Sequence, residues 1–139
     1  MSAKDVYHNT VKAALQKDGW TITHDPLILE FSRGRQLRID LGAEQIIAAQ
    51  KDKTRIAVEV KSFLAPSTIS EFHTALGQFL NYRVGLKLKE PERKLFLAVP
   101  LEIYQDFFSE ELTQRSVQEY QVSLLVFDPK DEVIVQWSD

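Results

Sequence analysis

Residues 55–62 have the sequence Arg-Ile-Ala-Val-Glu-Val-Lys-Ser, and this segment limits the fold more than any other part of the chain. Apolar residues alternate with other residues in it, which is the period-2 pattern of a half-buried β-strand. Glu59 and Lys61 therefore lie on one face of that strand. Charged side chains in such apolar surroundings need partners, because unpaired charges are rarely buried. The segment predicts a strand whose charged face belongs to a metal site.

An aspartate upstream of this strand lies at a specific spacing from Glu59 and Lys61. Asp40 is followed by eighteen residues and then by Glu59-Val60-Lys61, which is similar to the D…ExK core of PD-(D/E)XK nuclease-like folds. The resemblance implies Mg²⁺ or Mn²⁺ held by the carboxylates of Asp40 and Glu59 and by the carbonyl of Val60. Mg²⁺ prefers oxygen ligands and usually takes one or two carboxylates. Lys61 would then orient a water molecule or offset negative charge that develops on a phosphate.

The same charges also have an ordinary explanation. A Glu-x-Lys pair on an exposed strand face is a common ion pair that contributes about 0–1 kcal/mol. Asp40 and the apolar flanks favour a functional site, but a motif match is a hypothesis and leaves both interpretations open.

Glu44 is a candidate fourth member of the site. If residues 45–50 pair antiparallel with residues 55–61 across a turn at 51–54, Glu44 lies near Lys61. Gly42 could introduce a β-bulge that changes this register.

His8 is a candidate metal ligand from the first predicted helix. It borders the apolar face of that helix, where nuclease-like folds of this type often offer an acid to the metal. A histidine departs from that pattern, and the alternative is a helical histidine with no ligand role.

Gln78 is the candidate catalytic residue of a later helix. Gln78 and Tyr82 are four residues apart and project from one face of that helix. A Gln-x-x-x-Tyr pair after the ExK strand is similar to one in several nuclease-fold families, where the glutamine hydrogen-bonds near the lysine or a phosphate. An ordinary polar helix position is the equal alternative.

The whole pattern predicts an α/β fold with a mixed β-sheet flanked by helices, in the order αβββαβ followed by a helical region and a hairpin. Apolar periodicity and turn residues place the helices at 4–18, from 68 onwards, at 101–108 and at 110–119. The strands are predicted at 20–23, 27–31, 36–41, 45–50, 55–61, 94–99, 122–127 and 132–137.

Length and composition limit the classes of protein. The 139 residues predict one domain spanning 1–139. The chain has no cysteine, which excludes disulfides and thiolate metal sites and fits a reducing compartment. No apolar run approaches the roughly 18 residues of a membrane span, and no secretory pattern begins the chain. We therefore expect a cytoplasmic protein with no membrane partner.

The net charge of −3 argues against a protein that coats nucleic acid, which would normally be basic. It does not exclude a nuclease-type site, because bound metal neutralises an acidic cluster. Arg33, Arg35 and Arg38 form one of three local basic stretches, each of which is either a phosphate contact or a solvated surface.

Six stretches spread over the chain resemble one family: Ala3–His8, Asp18–Pro26, Asp40–Glu44, Ile56–Phe63, Leu76–Phe79 and Val126–Pro129. Together they resemble the XisH family, the fdxN element excision controlling factors. Members are cyanobacterial proteins with an endonuclease-like fold. The resemblance implies a role in excision of a DNA element by a site-specific recombinase, XisF, together with a small companion protein, XisI.

Two functions of different classes follow from these observations. The first is a Mg²⁺-dependent endodeoxyribonuclease, or a DNA-binding relative of one, with its polar cluster arranged around a phosphate. The second is a non-catalytic adaptor of the same fold that binds XisI, the recombinase or DNA ends. A nuclease restrained by XisI is compatible with both, and fold alone does not decide between them. The sequence leaves the oligomeric state open, a homo-oligomer included.

Overall fold

A six-stranded β-sheet forms the centre of the molecule in this computed structural model, which describes residues 4–47 and 52–139. The strands are β1 (Thr21–His24), β2 (Leu27–Glu30), β3 (Gln36–Ile39), β4 (Leu41–Ile47), β5 (Asp52–Val60), β6 (Arg93–Pro100), β7 (Leu124–Asp128) and β8 (Val133–Ser138). The helices are α1 (His8–Lys17), α2 (Thr68–Lys89), α3 (Leu101–Gln105) and α4 (Glu111–Glu119). The main sheet has the order β1-β4-β5-β6-β7-β8, and β2 and β3 form a separate hairpin.

The main sheet is mixed, with antiparallel pairs at both edges. β1, β4 and β5 are antiparallel neighbours, and so are β7 and β8. β5, β6 and β7 are parallel. Parallel neighbours need crossover connections, which α2 supplies between β5 and β6, and α3 with α4 between β6 and β7. The Ser67 side chain caps the start of α2 by accepting a hydrogen bond from the Ser70 N–H at 3.3 Å.

The first helix covers one face of the sheet. Val11 and Leu15 of α1 are buried in one cluster with Ile56, Val58 and Val60 of β5. These three strand residues are the apolar half of the alternation in the sequence. Burial of the alternating apolar side chains is what fixes which face of β5 is turned towards α1.

The opposite face of the sheet is covered by α2. Ala75 and Phe79 of this helix are buried in one cluster with Ala57 of β5. Since side chains alternate along a strand, Glu59 points to this same face. The candidate site therefore lies on the α2 side of the sheet.

The β2–β3 hairpin lies on the C-terminal half of α2, outside the main sheet. A Cβ atom on Gly85 would stand 2.6 Å from Cδ1 of Leu37 and 3.2 Å from Cζ of Phe31. Such contacts are too short for packed carbon atoms. A glycine in the buried face of α2 is thus what lets the hairpin lie this close to the helix.

The predicted mixed α/β fold with flanking helices is confirmed. With the β2–β3 hairpin set aside, the main sheet and its helices follow the order αβββαβ, as α1, β1, β4, β5, α2 and β6. The helical region after β6 comprises α3, a short 3₁₀ helix at Phe107–Ser109 and α4. Within the described ranges, no helix combines the length and the apolar character that crossing a membrane requires.

Two predicted strand boundaries are wrong. A bend at Asp40 separates β3 from β4, which begins at Leu41 rather than at Gln45. β5 begins at Asp52, so residues 52–54 belong to a strand and not to a turn. Polar residues in this exposed part of the hairpin resemble turn residues in sequence, which explains the error. The rest of the predicted turn and the end of the predicted strand, residues 48–51, lie outside the described residues.

Candidate functional site

Asp40 and Glu59 lie side by side at the end of β5, and each carboxylate binds the backbone of the other segment. The N–H of Asp40 donates to Oε1 of Glu59 at 3.2 Å, and the N–H of Val60 donates to Oδ2 of Asp40 at 2.7 Å. The β4–β5 ladder ends at the pair Leu41 and Val58. Because the chain bends at Asp40, a carboxylate rather than a backbone carbonyl accepts the Val60 N–H. The structure thus brings together the two acids of the D…ExK spacing.

The Glu59 carboxyl is nearly excluded from solvent. Glu59 is 5% exposed, and this burial, followed by the negative charge of Asp40, raises the pKa of Glu59 to about 8. The positive charge of Lys61 acts in the opposite direction but is outweighed. Two carboxyl groups held this close favour a bound cation or a retained proton over two free negative charges.

Lys61 and Val60 complete the end of β5. Nζ of Lys61 lies 3.8 Å from Oε2 of Glu59, which is an ion-pair distance and too long for a hydrogen bond. The N–H and C=O of one strand residue point to the same side of the strand. The Val60 carbonyl therefore points to the Asp40 side, as its N–H does.

Gln78 and Tyr82 belong to α2, the helix on the face of the sheet to which Glu59 points. Oε1 of Gln78 is buried and has no hydrogen-bond partner in the described part of the chain. Burial, and then the negative charges of Glu59 and Asp40, raise the pKa of Tyr82 to about 12, which shows that its hydroxyl lies near both acids. Helical spacing pairs Tyr82 with Gln78 in the sequence, although Gln78 alone was a predicted site residue.

The predicted position of Glu44 beside Lys61 is wrong. The register pairs Glu44 with Arg55, whose Nε donates to Oε1 of Glu44 at 3.0 Å. Lys53 approaches the other carboxylate oxygen to 3.9 Å. Glu44 thus belongs to an ion-pair cluster farther along the hairpin, because β5 starts earlier than the turn residues suggested.

The predicted position of His8 at the metal site is also wrong. Nε2 of His8 lies 2.6 Å from Oδ1 of Asp25, and Nζ of Lys12 donates to the other oxygen of Asp25 at 2.8 Å. His8 is buried on α1, which covers the face of the sheet opposite to Glu59. The hydrogen bond from Lys12, then that of His8, lowers the pKa of Asp25 despite the opposing effect of burial. His8 is therefore a buried structural histidine.

Asp5, which sequence reasoning did not single out, reaches the end of β5 from the N-terminal segment. Its Oδ2 accepts a hydrogen bond from the Ser62 N–H at 2.9 Å, and its Oδ1 accepts one from the Tyr7 N–H at 2.9 Å. An aspartate two residues before such an N–H is a turn signal at the start of a helix. That local signal could have been found, but the contact with Ser62 could not.

Three protein groups could hold a divalent cation: the carboxylates of Asp40 and Glu59 and the carbonyl of Val60. No cluster of three or more His, Cys, Asp or Glu side chains that could bind a metal occurs in residues 4–47 and 52–139. Two carboxylates are sufficient for Mg²⁺, which usually keeps waters and takes substrate phosphate as further ligands. Neither Glu44 nor His8 adds a ligand to these three groups.

Comparison with known families decides where the chain belongs. The sequence profile of a family described as XisH protein matches residues 1–135. The chain belongs to the XisH family. The family resemblance predicted from the sequence is thereby confirmed. A search among curated proteins gave no significant match.

Two crystal structures of similar proteins match this XisH-family chain over nearly its whole length. One is of an XisH family protein from Nostoc punctiforme PCC 73102, with 49% sequence identity and a TM-score of 0.88, covering 97% of this chain and 100% of that one. The other is of an fdxN element excision controlling factor protein from Anabaena variabilis, with 50% identity and a TM-score of 0.88, covering 98% of this chain and 100% of that one.

Proposed function

We propose that this XisH-family protein helps to control excision of a DNA element, and that it acts on DNA through a nuclease-type site that depends on a divalent cation. The role in excision is supported by the similar protein from Anabaena variabilis, which is described as an fdxN element excision controlling factor. One observation carries the nuclease-type site: half-buried Asp40 and buried Glu59 lie side by side, and the pKa of Glu59 is raised to about 8.

The topology supports a PD-(D/E)XK nuclease-like fold. The main sheet and its helices follow the order αβββαβ. In that order Asp40 stands immediately before the second sheet strand, β4, and Glu59-Val60-Lys61 ends the third, β5. These are the positions that the D…ExK spacing assigns to the two acids and the lysine.

Each residue of the site has a chemical role in this proposal. Asp40, Glu59 and the Val60 carbonyl would hold Mg²⁺ or Mn²⁺, and the acid pair fits such a cation because it otherwise retains a proton. When bound, the cation would supply Lewis-acid polarisation of a phosphate. Lys61 would position the attacking water or offset negative charge on the phosphate. Gln78 offers a buried acceptor, Oε1, that has no partner in the described chain.

Calorimetric titration of Mg²⁺ and of Mn²⁺ tests the site. The wild-type protein should show saturable binding, and Glu59→Gln should abolish it, because an amide oxygen replaces a charged ligand. Glu44→Gln is the matched control, since Glu44 is also a glutamate of this hairpin but pairs with Arg55. Equal binding by all three proteins, or the same loss in both variants, would contradict the assignment.

A non-catalytic adaptor is the second candidate function. It is favoured by the absence of any third His, Cys, Asp or Glu side chain beside the acid pair in the described ranges. In this case the fold would bind the companion protein XisI, the XisF-type recombinase or DNA ends. The adaptor predicts no metal-dependent DNA cleavage by the wild type under conditions where partner binding is detected, whereas the nuclease predicts cleavage that Glu59→Gln removes.

A further inference from the structure

The arginines of the β2–β3 hairpin differ from all other arginines of the chain. Every arginine outside the hairpin is bound by protein groups: Arg55 by Glu44 and Glu92, Arg83 by the carbonyls of Tyr120 and Gln121, Arg93 by Glu90 and the Ile56 carbonyl, and Arg115 by Glu111. Within the described ranges, the side chains of Arg33, Arg35 and Arg38 make no ion pair or hydrogen bond. All three are exposed.

The backbone at the tip of the hairpin presents these side chains to solvent. Arg33 has a φ of 61° and a ψ of 31°, a left-handed conformation that is unfavourable by roughly 1–2 kcal/mol for a residue with a Cβ atom. Gly34, the next residue, has a φ of 70°. The tip is closed by a hydrogen bond from the Phe31 N–H to the Arg35 carbonyl at 2.8 Å. A strained arginine that forms no hydrogen bond or ion pair within the described residues points to a contact outside the protein.

The inner face of the hairpin is packed into the hydrophobic core. Leu27, Leu29 and Ile39 from its inner face are buried in the same core cluster as Phe79 and Leu86 of α2. At the tip, Nζ of Lys89 lies 5.3 Å from the centre of the Phe31 ring, which adds a further positive charge from the end of α2. The outer face is left open to solvent.

The basic residues of the hairpin lie at its tip, as Arg33 and Arg35, and on its outer face, as Arg38. Ile28 pairs with Arg38, and Glu30 pairs with Gln36. Glu30 is the acidic residue of this face, and its Oε1 accepts a hydrogen bond from Gln36 at 3.3 Å. The hairpin therefore carries three arginines against one glutamate on a protein whose net charge is −3.

We propose that the tip of the β2–β3 hairpin, with Arg33 and Arg35, and Arg38 on its outer face bind the phosphate backbone of double-stranded DNA. This inference rests on the proposed function, because β3, which carries Arg38, leads directly into Asp40 of the acid pair. A two-stranded ribbon has the dimensions of a duplex groove, and guanidinium groups bind phosphate oxygens in a bidentate manner.

The distances within the hairpin fit one duplex that touches both regions. Asp40 is four residue steps from Gln36 at the tip end of β3, and a strand rises about 3.3 Å per residue. The ribbon thus extends roughly 13 Å from the acid pair, or about four base-pair steps of 3.4 Å. The arginines would hold phosphates within half a helical turn of the phosphate at Asp40 and Glu59.

Fluorescence anisotropy with a short labelled DNA duplex of mixed sequence, without divalent cations and over a series of salt concentrations, tests this proposal. The test variant combines Arg33→Asn, Arg35→Gln and Arg38→Gln, where asparagine tolerates the left-handed conformation. Three lost phosphate contacts should lower the slope of log affinity against log salt by about 2.7, and affinity at low salt by about tenfold or more.

The matched control removes the same number of positive charges from distant exposed positions, through Lys17→Gln, Arg115→Gln and Lys130→Gln. Its salt slope should stay close to that of the wild type. A second hairpin variant with lysine at all three arginine positions should retain most of the slope, since the charges remain. In thermal unfolding the lysine variant should match the wild type and the variant with Arg33→Asn should be at least as stable, because the replaced side chains make no ion pair or hydrogen bond within the described residues and asparagine tolerates the left-handed conformation.

Several outcomes would overturn the proposal: no duplex binding by the wild type, equal losses in the hairpin variant and its control, or tighter binding of single-stranded DNA or RNA of the same length. These failures are separable from failure of the proposed function. The hairpin variant should bind Mn²⁺ as the wild type does, and the duplex titration contains no divalent cation, so its result does not depend on whether the acid pair holds a metal.

Discussion

Arg55 and Glu59 lie on the same face of β5. The carboxylate of Glu44, which pairs with Arg55, is stabilised in its charged form, whereas the carboxyl group of Glu59 is destabilised in its charged form. Near Arg55, the carboxylate of Glu44 accepts a hydrogen bond of 3.0 Å and has Lys53 at 3.9 Å. The hydrogen bond from Arg55 holds the pKa of Glu44 below its usual value. At the other end, burial and Asp40 raise the pKa of Glu59 to about 8.

The difference is between an ion pair whose charges are matched and a pair of carboxyl groups whose charges are not. At the Glu44 end, each charge is matched by an opposite charge, and nothing further is needed. At the Glu59 end, two acids lie together and Lys61 is 3.8 Å from Glu59. On α2, the buried Oε1 of Gln78 has no hydrogen-bond partner within the described residues. Residues that lower stability in this way are typical of functional sites.

The largest expected effect is a difference in the rate of DNA cleavage between variants of Lys61 and of Lys53. In a plasmid-cleavage assay with Mn²⁺, Lys61→Ala should lower the rate by at least about 100-fold, because a positive charge that stabilises the developing phosphate charge is lost. Lys53→Ala removes the lysine beside Glu44 and should leave the rate unchanged. Equal rates for the two variants would show that the ends of β5 are not functionally different.

The second prediction concerns stability against pH. An unperturbed glutamate has a pKa of 4.5, and that of Glu59 is about 8. The folded protein therefore holds this proton more tightly than the unfolded chain. The free energy of unfolding should fall as the pH rises from 4.5 to 8, since the folded state then binds more protons.

Glu59→Gln should remove most of that pH dependence. At pH 7 the variant should exceed the wild type in free energy of unfolding by on the order of 3 kcal/mol, as measured by urea denaturation without divalent cations. Parallel pH profiles for the wild type and the variant would contradict the raised pKa of Glu59.

The third prediction concerns the buried amide of Gln78. Gln78→Leu should raise the free energy of unfolding by about 1 kcal/mol, because it removes a buried acceptor that has no partner in the described chain. The same variant should cleave DNA more slowly than the wild type. A loss of stability in chemical denaturation would show that the amide has a structural role instead.

The smallest effect on the free energy of unfolding is expected at Glu44, which pairs with Arg55. Glu44→Gln should lower the free energy of unfolding by less than about 1 kcal/mol, as is usual for partly exposed ion pairs. Because the pKa of Glu44 is lowered, its contribution is present above the usual glutamate pKa and is lost as the pH falls through the folded value. The difference should shrink at high salt, whereas an increase in stability would remove the contrast with Glu59.

Local patterns predicted the central part of the site. The alternation in residues 55–60 indicated which residues of β5 share a face, because the period of a strand is a local property. The spacing of Asp40 from Glu59 predicted that the two acids meet, and helical spacing placed Gln78 and Tyr82 together. Each of these inferences needed only the geometry of one element or a known motif.

The errors arose where a long-range contact decides the outcome. The place of Glu44 depended on where the β4–β5 hairpin turns, and polar strand residues such as Lys53 resemble turn residues. His8 is buried because Asp25, seventeen residues later, accepts its hydrogen bond. The role of Asp5 depends on Ser62, fifty-seven residues away. No local pattern contains such pairings.

The bend at Asp40 joins the hairpin to the main sheet. β3 ends at Ile39 and β4 begins at Leu41, so this one residue is the hinge between two sheets as well as a member of the acid pair. Any force that displaces the hairpin acts on the backbone of Asp40, whose carboxylate is held to Val60 by a hydrogen bond of 2.7 Å. The same residue therefore sets both where the hairpin leaves the main sheet and where one carboxylate of the acid pair lies.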